Sequence, residues 1–171
     1  MEIIQRKVCL LGDFAVGKTS LIRRFVHNKF TTDYQATIGV HVSRKEVILE
    51  NAEAKTVGLI LWDLAGGETF SQMEEAYYRG SAGALLVADS MRSETFGILN
   101  TYATTFMQVN PEASLVIVFN KVDLMPDVAE LERRAKALSA RWGAPHFFTS
   151  ALTGTQVDSA FHELAESVTR T

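Results

Sequence analysis

The 171-residue sequence predicts an α/β fold, a largely parallel sheet with helices on both faces. Three observations point there. Several short apolar runs read as strands, and most are continuously apolar rather than alternating, as in strands covered on both sides. Between them lie stretches with apolar residues at helical spacing. The two kinds alternate along the chain, which favours parallel neighbours joined by right-handed crossovers, with ligands beyond the carboxyl ends of the strands.

The elements follow in order. "VCLLG", from Val8, is the first strand, and Leu21, Ile22, Phe25 and Val26 put an apolar stripe on a helix over residues 20–26. "GVHVSRKEVILE", from Gly39, alternates in places and carries charge, so it reads as an edge strand. "TVGLILWD" from Thr56, "GALLVAD" from Gly83 and "SLVIVFN" from Ser114 are buried strands. Leu131, Ala135, Leu138 and Trp142 mark a helix over residues 128–142. "PHFFTS", from Pro145, is the last strand, and Phe161, Leu164, Ala165 and Val168 form a final helical stripe. Met, Phe and Trp on these stripes read as core. Pro111, Pro126 and Pro145 fall between periodic segments and punctuate without dividing the chain. With no repeat, linker or low-complexity tract, residues 1–171 read as one domain.

Composition narrows the function. Hydrophobic residues make up 47% and charged residues 22%, a globular rather than a disordered mixture. A net charge of −3 argues against nucleic acid as partner. Cys9 is the only cysteine, so no internal disulfide forms, and its apolar run makes it a buried strand residue. "MEIIQRK" lacks the apolar core of a signal peptide, and no apolar stretch reaches the roughly 18–20 residues that span a bilayer. "AESVTRT" has no cysteine to prenylate. The expectation is a cytoplasmic chain with no membrane anchor of its own. His27, His41, His146 and His162 show no metal-site spacing and are assigned structural or surface roles.

The chemistry begins at "GDFAVGKTS", residues 12–20, which matches G-x-x-x-x-G-K-[ST] between a strand and an amphipathic helix. Gly17 lets the backbone approach phosphate oxygens. Backbone N–H groups over Ala15, Val16 and Gly17 and the helix start at Lys18, Thr19 and Ser20 supply positive potential. Lys18 reaches the β- and γ-phosphates, and the Thr19 hydroxyl binds Mg²⁺. Alone, this motif gives a nucleoside triphosphate but not its base. "NKVD" supplies Asn120, Lys121 and Asp123 at the end of another strand. A carboxylate there accepts two hydrogen bonds from guanine, whereas adenine would leave it unpaired. Downstream of a phosphate loop, N-K-x-D points to guanine.

Together these motifs resemble those of the Ras superfamily of small GTPases, closest to the Rab branch, over essentially the whole chain. The resemblance implies a P-loop NTPase three-layer sandwich of six strands, five of them parallel, and five helices. "YQATIG", residues 34–39, resembles the first switch: Tyr34 contacts the nucleotide, and Thr37 senses Mg²⁺ and the γ-phosphate. Phe30 matches the aromatic beside the guanine. "WDLAGGE" resembles the W-D-T-A-G-Q-E second switch, with Asp63 holding Mg²⁺ through water and Gly66 offering its N–H to the γ-phosphate. "TSAL" resembles the T-S-A-K base loop through Ser150, Ala151 and Leu152. By this resemblance Thr19, Thr37 and Asp63 form the metal set, and Lys18, Thr37, Gly66 and Gly67 occupy the catalytic positions. The implied function is a GTP/GDP switch that uses Mg²⁺, hydrolyses GTP slowly and serves signalling or trafficking. Effectors, exchange factors or activating proteins would meet segments 31–42 and 63–78.

The sequence also departs from that pattern. Gly67 replaces the glutamine that orients water. Leu64 replaces a threonine, and Leu152 replaces the lysine whose stem covers the guanine, a role an apolar stem can still fill. Phe14 stands where Ras-type members carry glycine, near the γ-phosphate. Of the Rab aromatic trio, Trp62 and Tyr77 match as effector contacts or as core, while Val42 replaces phenylalanine. Two other readings stay open. A non-hydrolysing GTP-binding scaffold draws support from Gly67, and an ATP-using P-loop enzyme is disfavoured by Asp123.

Overall fold

The computed structural model of the chain describes residues 2–32, 37, 39–50, 55–66 and 74–170. Tyr34 and Gly67 lie outside the described residues. Among those described, the order is β1 (Ile3–Leu11), α1 (Lys18–His27), β2 (Val40–Ile48), β3 (Thr56–Leu64), α2 (Glu74–Tyr78), β4 (Gly83–Asp89), α3 (Glu94–Val109), β5 (Ser114–Asn120), α4 (Ala129–Trp142), β6 (His146–Phe148) and α5 (Val157–Ser167). A 3-10 turn, Val122–Leu124, follows β5.

The six strands form one sheet in the order β2-β3-β1-β4-β5-β6. Only β2 runs antiparallel to its neighbour, and it lies at an edge, as its charged, alternating sequence predicts. Every other neighbouring pair is parallel.

Neighbouring residues of the central strands face opposite layers, and both layers are covered. Val8, Leu10, Leu85, Val87, Val116 and Val118 pack with Leu21 and Phe25 of α1 and Phe161 and Leu164 of α5. Phe25 and Phe161 stack with ring centroids 4.1 Å apart. Cys9, Leu11, Leu86, Ala88, Ile117 and Phe119 pack on the other side with Tyr78 of α2, Phe96, Leu99 and Phe106 of α3, and Leu131 and Ala135 of α4. This is the three-layer α/β sandwich, and its two covered faces explain the continuously apolar strands.

Three features differ from the sequence reading. β1 begins at Ile3 rather than Val8, because the polar stretch before the apolar run still pairs with β3 in register from Ile3 opposite Thr56. Its charged side chains find partners at the sheet rim: Arg6 Nε donates to Val168 O at 3.0 Å, and Lys7 Nζ donates to Arg79 O at 2.8 Å. α3 is an element the sequence reading leaves out: its buried Phe96, Leu99, Ala103 and Phe106 share one face, and exposed Glu94, Gly97, Thr101, Thr104 and Gln108 form the opposite one. β6 is only three residues long. Among the described residues no helix is long and apolar enough to cross a membrane.

Candidate functional site

The segments beyond the carboxyl ends of β1, β3, β5 and β6 meet at one cavity of ≈ 320 Å³. It is lined by the loop from Phe14 through Ser20, by Phe30 and Thr37, by Gly66, and by Lys121, Asp123, Ala151 and Leu152. The parallel sheet thus brings together motifs more than a hundred residues apart in the chain.

The loop between β1 and α1 is shaped for a close approach. Gly17 has φ 104, and a Cβ there would lie 2.3 Å from Asn120 Nδ2. Neither the dihedral nor the space admits a side chain. Lys18 is buried, and its Nζ donates to Gly12 O at 2.8 Å and Asp13 O at 3.1 Å. Burial lowers its pKa to about 8, against the opposing pull of Asp63 and Asp13. Lys121 Nζ donates to Ala15 O at 2.9 Å, and Asn120 Nδ2 donates to Val16 O at 3.1 Å. The other end of the Asn120 amide accepts from Thr149 Oγ1 at 3.1 Å, so both ends brace loops.

The carboxylate proposed to select the base is itself oriented. Ser150, fully buried, donates through Oγ to Asp123 Oδ1 at 2.7 Å. Ser150 therefore stands behind Asp123, outside the cavity lining. Arg24 of α1 reaches the same loop, donating from Nε to Ala151 O at 2.8 Å and from Nη2 to Leu152 O at 2.6 Å. Phe30 and Leu152 both line the cavity with apolar surface exposed.

Three oxygen-bearing side chains gather at one corner. The Thr19 hydroxyl donates to Asp63 Oδ2 at 2.5 Å, which leaves it to accept from the Thr37 hydroxyl at 2.7 Å. Asp63 Oδ1 is buried with no hydrogen-bond partner among the described residues. Burial raises the Asp63 pKa, offset in part by the Thr19 hydrogen bond and by Lys18. An orphaned carboxylate oxygen beside two hydroxyls is a hard-oxygen donor set that suits Mg²⁺. Gly66 packs against the loop between β1 and α1. A Cβ on it would lie 2.6 Å from the Asp13 carbonyl carbon and 2.7 Å from Phe14 N.

Trp62 and Tyr77 are half-buried, with ring centroids 6.2 Å apart, and Lys7 Nζ lies 3.9 Å from the Trp62 ring centre. They are neither fully core nor fully exposed. Val42 pairs with Trp62 across β2 and β3 and is exposed.

A family model described as the Ras family matches residues 7–170. The chain belongs to the Ras family. Within it, the chain is Rab-like. It is 38% identical to the Ypt/Rab-type GTPase ypt7 of Schizosaccharomyces pombe, over 94% of this chain and 80% of that protein. It is 39% identical to the Ras-related protein RABG3f of Arabidopsis thaliana and 37% identical to the Ras-related protein Rab7 of Pisum sativum, with the same coverage. The chain is thus a small GTPase that binds guanine nucleotide.

Sequence reasoning missed two groups of residues. Arg23, Thr31, Thr32, Leu64 and Leu124 also line the cavity, and of these Leu124 was the most legible, directly after "NKVD". Arg24 and Arg92 donate to backbone carbonyls of distant loops, Asp89 accepts from Arg92 and Lys121, and no sequence spacing announces such contacts.

Proposed function

We propose that this Rab-like GTPase is a switch that holds GTP or GDP with Mg²⁺ in the cavity, hydrolyses GTP slowly, and is read by partners at segments 31–42 and 63–78. The observation that carries this is the pairing in one cavity of a buried lysine in a phosphate-shaped loop with a carboxylate oriented by Ser150. Lys18 would compensate the charge of the terminal phosphates, and the N–H groups of Ala15, Val16 and Gly17 would add fixed dipoles in a water-poor site. Asp123 would accept hydrogen bonds from guanine, flanked by Phe30 and Leu152, while Lys121 and Asn120 hold the loops. Mg²⁺, held by Thr19 and Thr37 and through water by Asp63, would neutralise charge between the terminal phosphates. Thr37 and Gly66 would register the γ-phosphate, ordering the two switch segments in the triphosphate state.

Gly67 lies outside the described residues, and its lack of a side chain supports a slow intrinsic rate. Membership of a family of GTPases favours slow hydrolysis over a non-hydrolysing scaffold. The reading extends to a single domain over residues 1–171, to a cytoplasmic setting and to a trafficking or signalling role, as in a Ypt/Rab-type protein. Nucleotide content of the purified protein, followed by single-turnover hydrolysis, tests it. Bound GDP with slow conversion of loaded GTP is expected. Purification with no nucleotide, and no uptake of added GTP, would overturn it.

A further inference from the structure

The loop at the phosphate end of the cavity is held by three side chains in succession. Arg92 Nη2 donates to Phe14 O at 2.5 Å, Lys121 Nζ to Ala15 O at 2.9 Å, and Asn120 Nδ2 to Val16 O at 3.1 Å. In a trans peptide the C=O and the following N–H point opposite ways. Fixing the carbonyls of Phe14, Ala15 and Val16 therefore fixes the N–H directions of Ala15, Val16 and Gly17, three residues that line the cavity.

Two of these holders belong to the "NKVD" segment. Arg92 belongs to neither motif; it follows β4 and lies outside the cavity lining. It is not an isolated surface contact. Its Nε donates to Asp89 Oδ2 at 3.1 Å, and the same oxygen accepts from Lys121 Nζ at 2.8 Å. Asp89 is buried, and the Met91 N–H fixes its other oxygen at 2.9 Å. One carboxylate thus ties the Arg92 and Lys121 braces into a unit.

The three braces act on different parts of the loop. The Arg92 contact is at Phe14, whose backbone is the surface that Gly66 closes against. On the reading proposed above, Gly66 meets the γ-phosphate, so the Phe14–Ala15 peptide borders the place where GTP and GDP differ. We infer that Arg92 is a positioning residue that aims the Ala15 N–H and thereby sets the preference of the site for triphosphate over diphosphate. It touches no substrate itself and works through the backbone. A planar guanidinium suits this task, because it engages Asp89 and Phe14 through separate N–H groups at once.

The inference rests on the nucleotide reading, and the experiment separates the two. Release of a labelled non-hydrolysable GTP analogue and of labelled GDP is measured for wild type, Arg92→Met and Arg92→Lys, alongside thermal melting. Arg92→Met should speed release of the triphosphate by about tenfold and of GDP by about twofold, the size expected for one charge-assisted hydrogen bond near the surface. Arg92→Lys keeps the charge but cannot span both acceptors, and should recover only part of the preference. Equal acceleration for both nucleotides, or none, would overturn the inference even if the melting temperature fell, since a merely structural tie would not tell the nucleotides apart. Should Arg92→Met fail to fold, an unchanged ratio in Arg92→Lys would overturn it equally. Wild type that binds neither nucleotide would instead overturn the functional reading beneath it.

Discussion

The Thr19 hydroxyl donates to the Asp63 carboxylate at 2.5 Å, joining the start of α1 to the end of β3. One oxygen of that carboxylate is engaged while the other, Oδ1, is buried with no partner among the described residues. A polar atom left so costs stability unless a ligand satisfies it. Removing Mg²⁺ with a chelator should therefore speed release of labelled GDP. Asp63→Asn should weaken Mg²⁺ binding by about 10–100-fold, as expected for an outer-shell partner, and shrink the response to chelator. A variant that responds as strongly as wild type would remove Asp63 from the metal site.

Gly66 offers a steric test of switching. A Cβ at this position would meet the Asp13 and Phe14 backbone, which cannot move aside as a flexible side chain can. Gly66→Ala should hold the second switch away from the phosphate loop and reduce the ratio of GTP to GDP affinity by about tenfold, the size of a 1–3 kcal/mol clash. Hydrogen exchange over segments 31–42 and 63–78 should differ between the GTP and GDP states of wild type but not of the variant. Equal protection in both wild-type states would contradict switching at these segments.

Asp89 gives the loop brace a pH dependence. Burial alone would raise its pKa, but the Lys121 ammonium, the Met91 N–H and the Arg92 guanidinium together hold it below the usual carboxylate range. A depressed folded-state value stabilises the fold above the unfolded pKa of about 3.9. That stability is lost as pH falls through the lower folded value. Asp89→Asn should cost about 1–3 kcal/mol at neutral pH. The gap in melting temperature from wild type should narrow as the pH drops below about 4. A constant gap across that range would mean the charge of Asp89 is not what matters.

Gly67 and Phe14 bear on the rate. On the proposed reading, Lys18, the loop N–H groups and Mg²⁺ would account for charge, while Gly67 supplies nothing to orient water. Intrinsic single-turnover hydrolysis should fall at or below about 10⁻⁴ s⁻¹. Gly67→Gln should speed it, and adding Phe14→Gly should help further by clearing the half-exposed ring from the cavity mouth. Fast hydrolysis by wild type alone would show that another residue positions the water.

How far the sequence reached depends on the kind of information each element carries. The buried strands and the edge strand were legible because their apolar patterns mirror the layers they touch: Leu85 and Leu86 face opposite layers, and both are apolar. The start of β1 was not, because Arg6 and Lys7 are fixed by long-range partners, Val168 O and Arg79 O. α3 is harder to read because Tyr102, Met107 and Val109 flank its buried face and widen the apolar stripe. In the site, Lys18, Thr19 and Asp123 could be read because their chemistry dictates both residue type and spacing. The supporting contacts could not. Arg24 and Arg92 donate to backbone carbonyls, which any residue provides, so the acceptors leave no trace in the sequence.

On the proposed reading, the cavity selects guanine nucleotide through Asp123, oriented by Ser150. The most direct measurement is a competition titration in which GTP, GDP and ATP displace labelled GDP from the purified protein at matched Mg²⁺. A carboxylate that guanine would cover and pair, and that adenine would cover and leave unpaired, predicts that ATP needs a concentration higher by about a thousandfold or more. Asp123→Ala should narrow that gap while the melting profile stays cooperative. Displacement by ATP and GTP at equal concentrations would contradict the account.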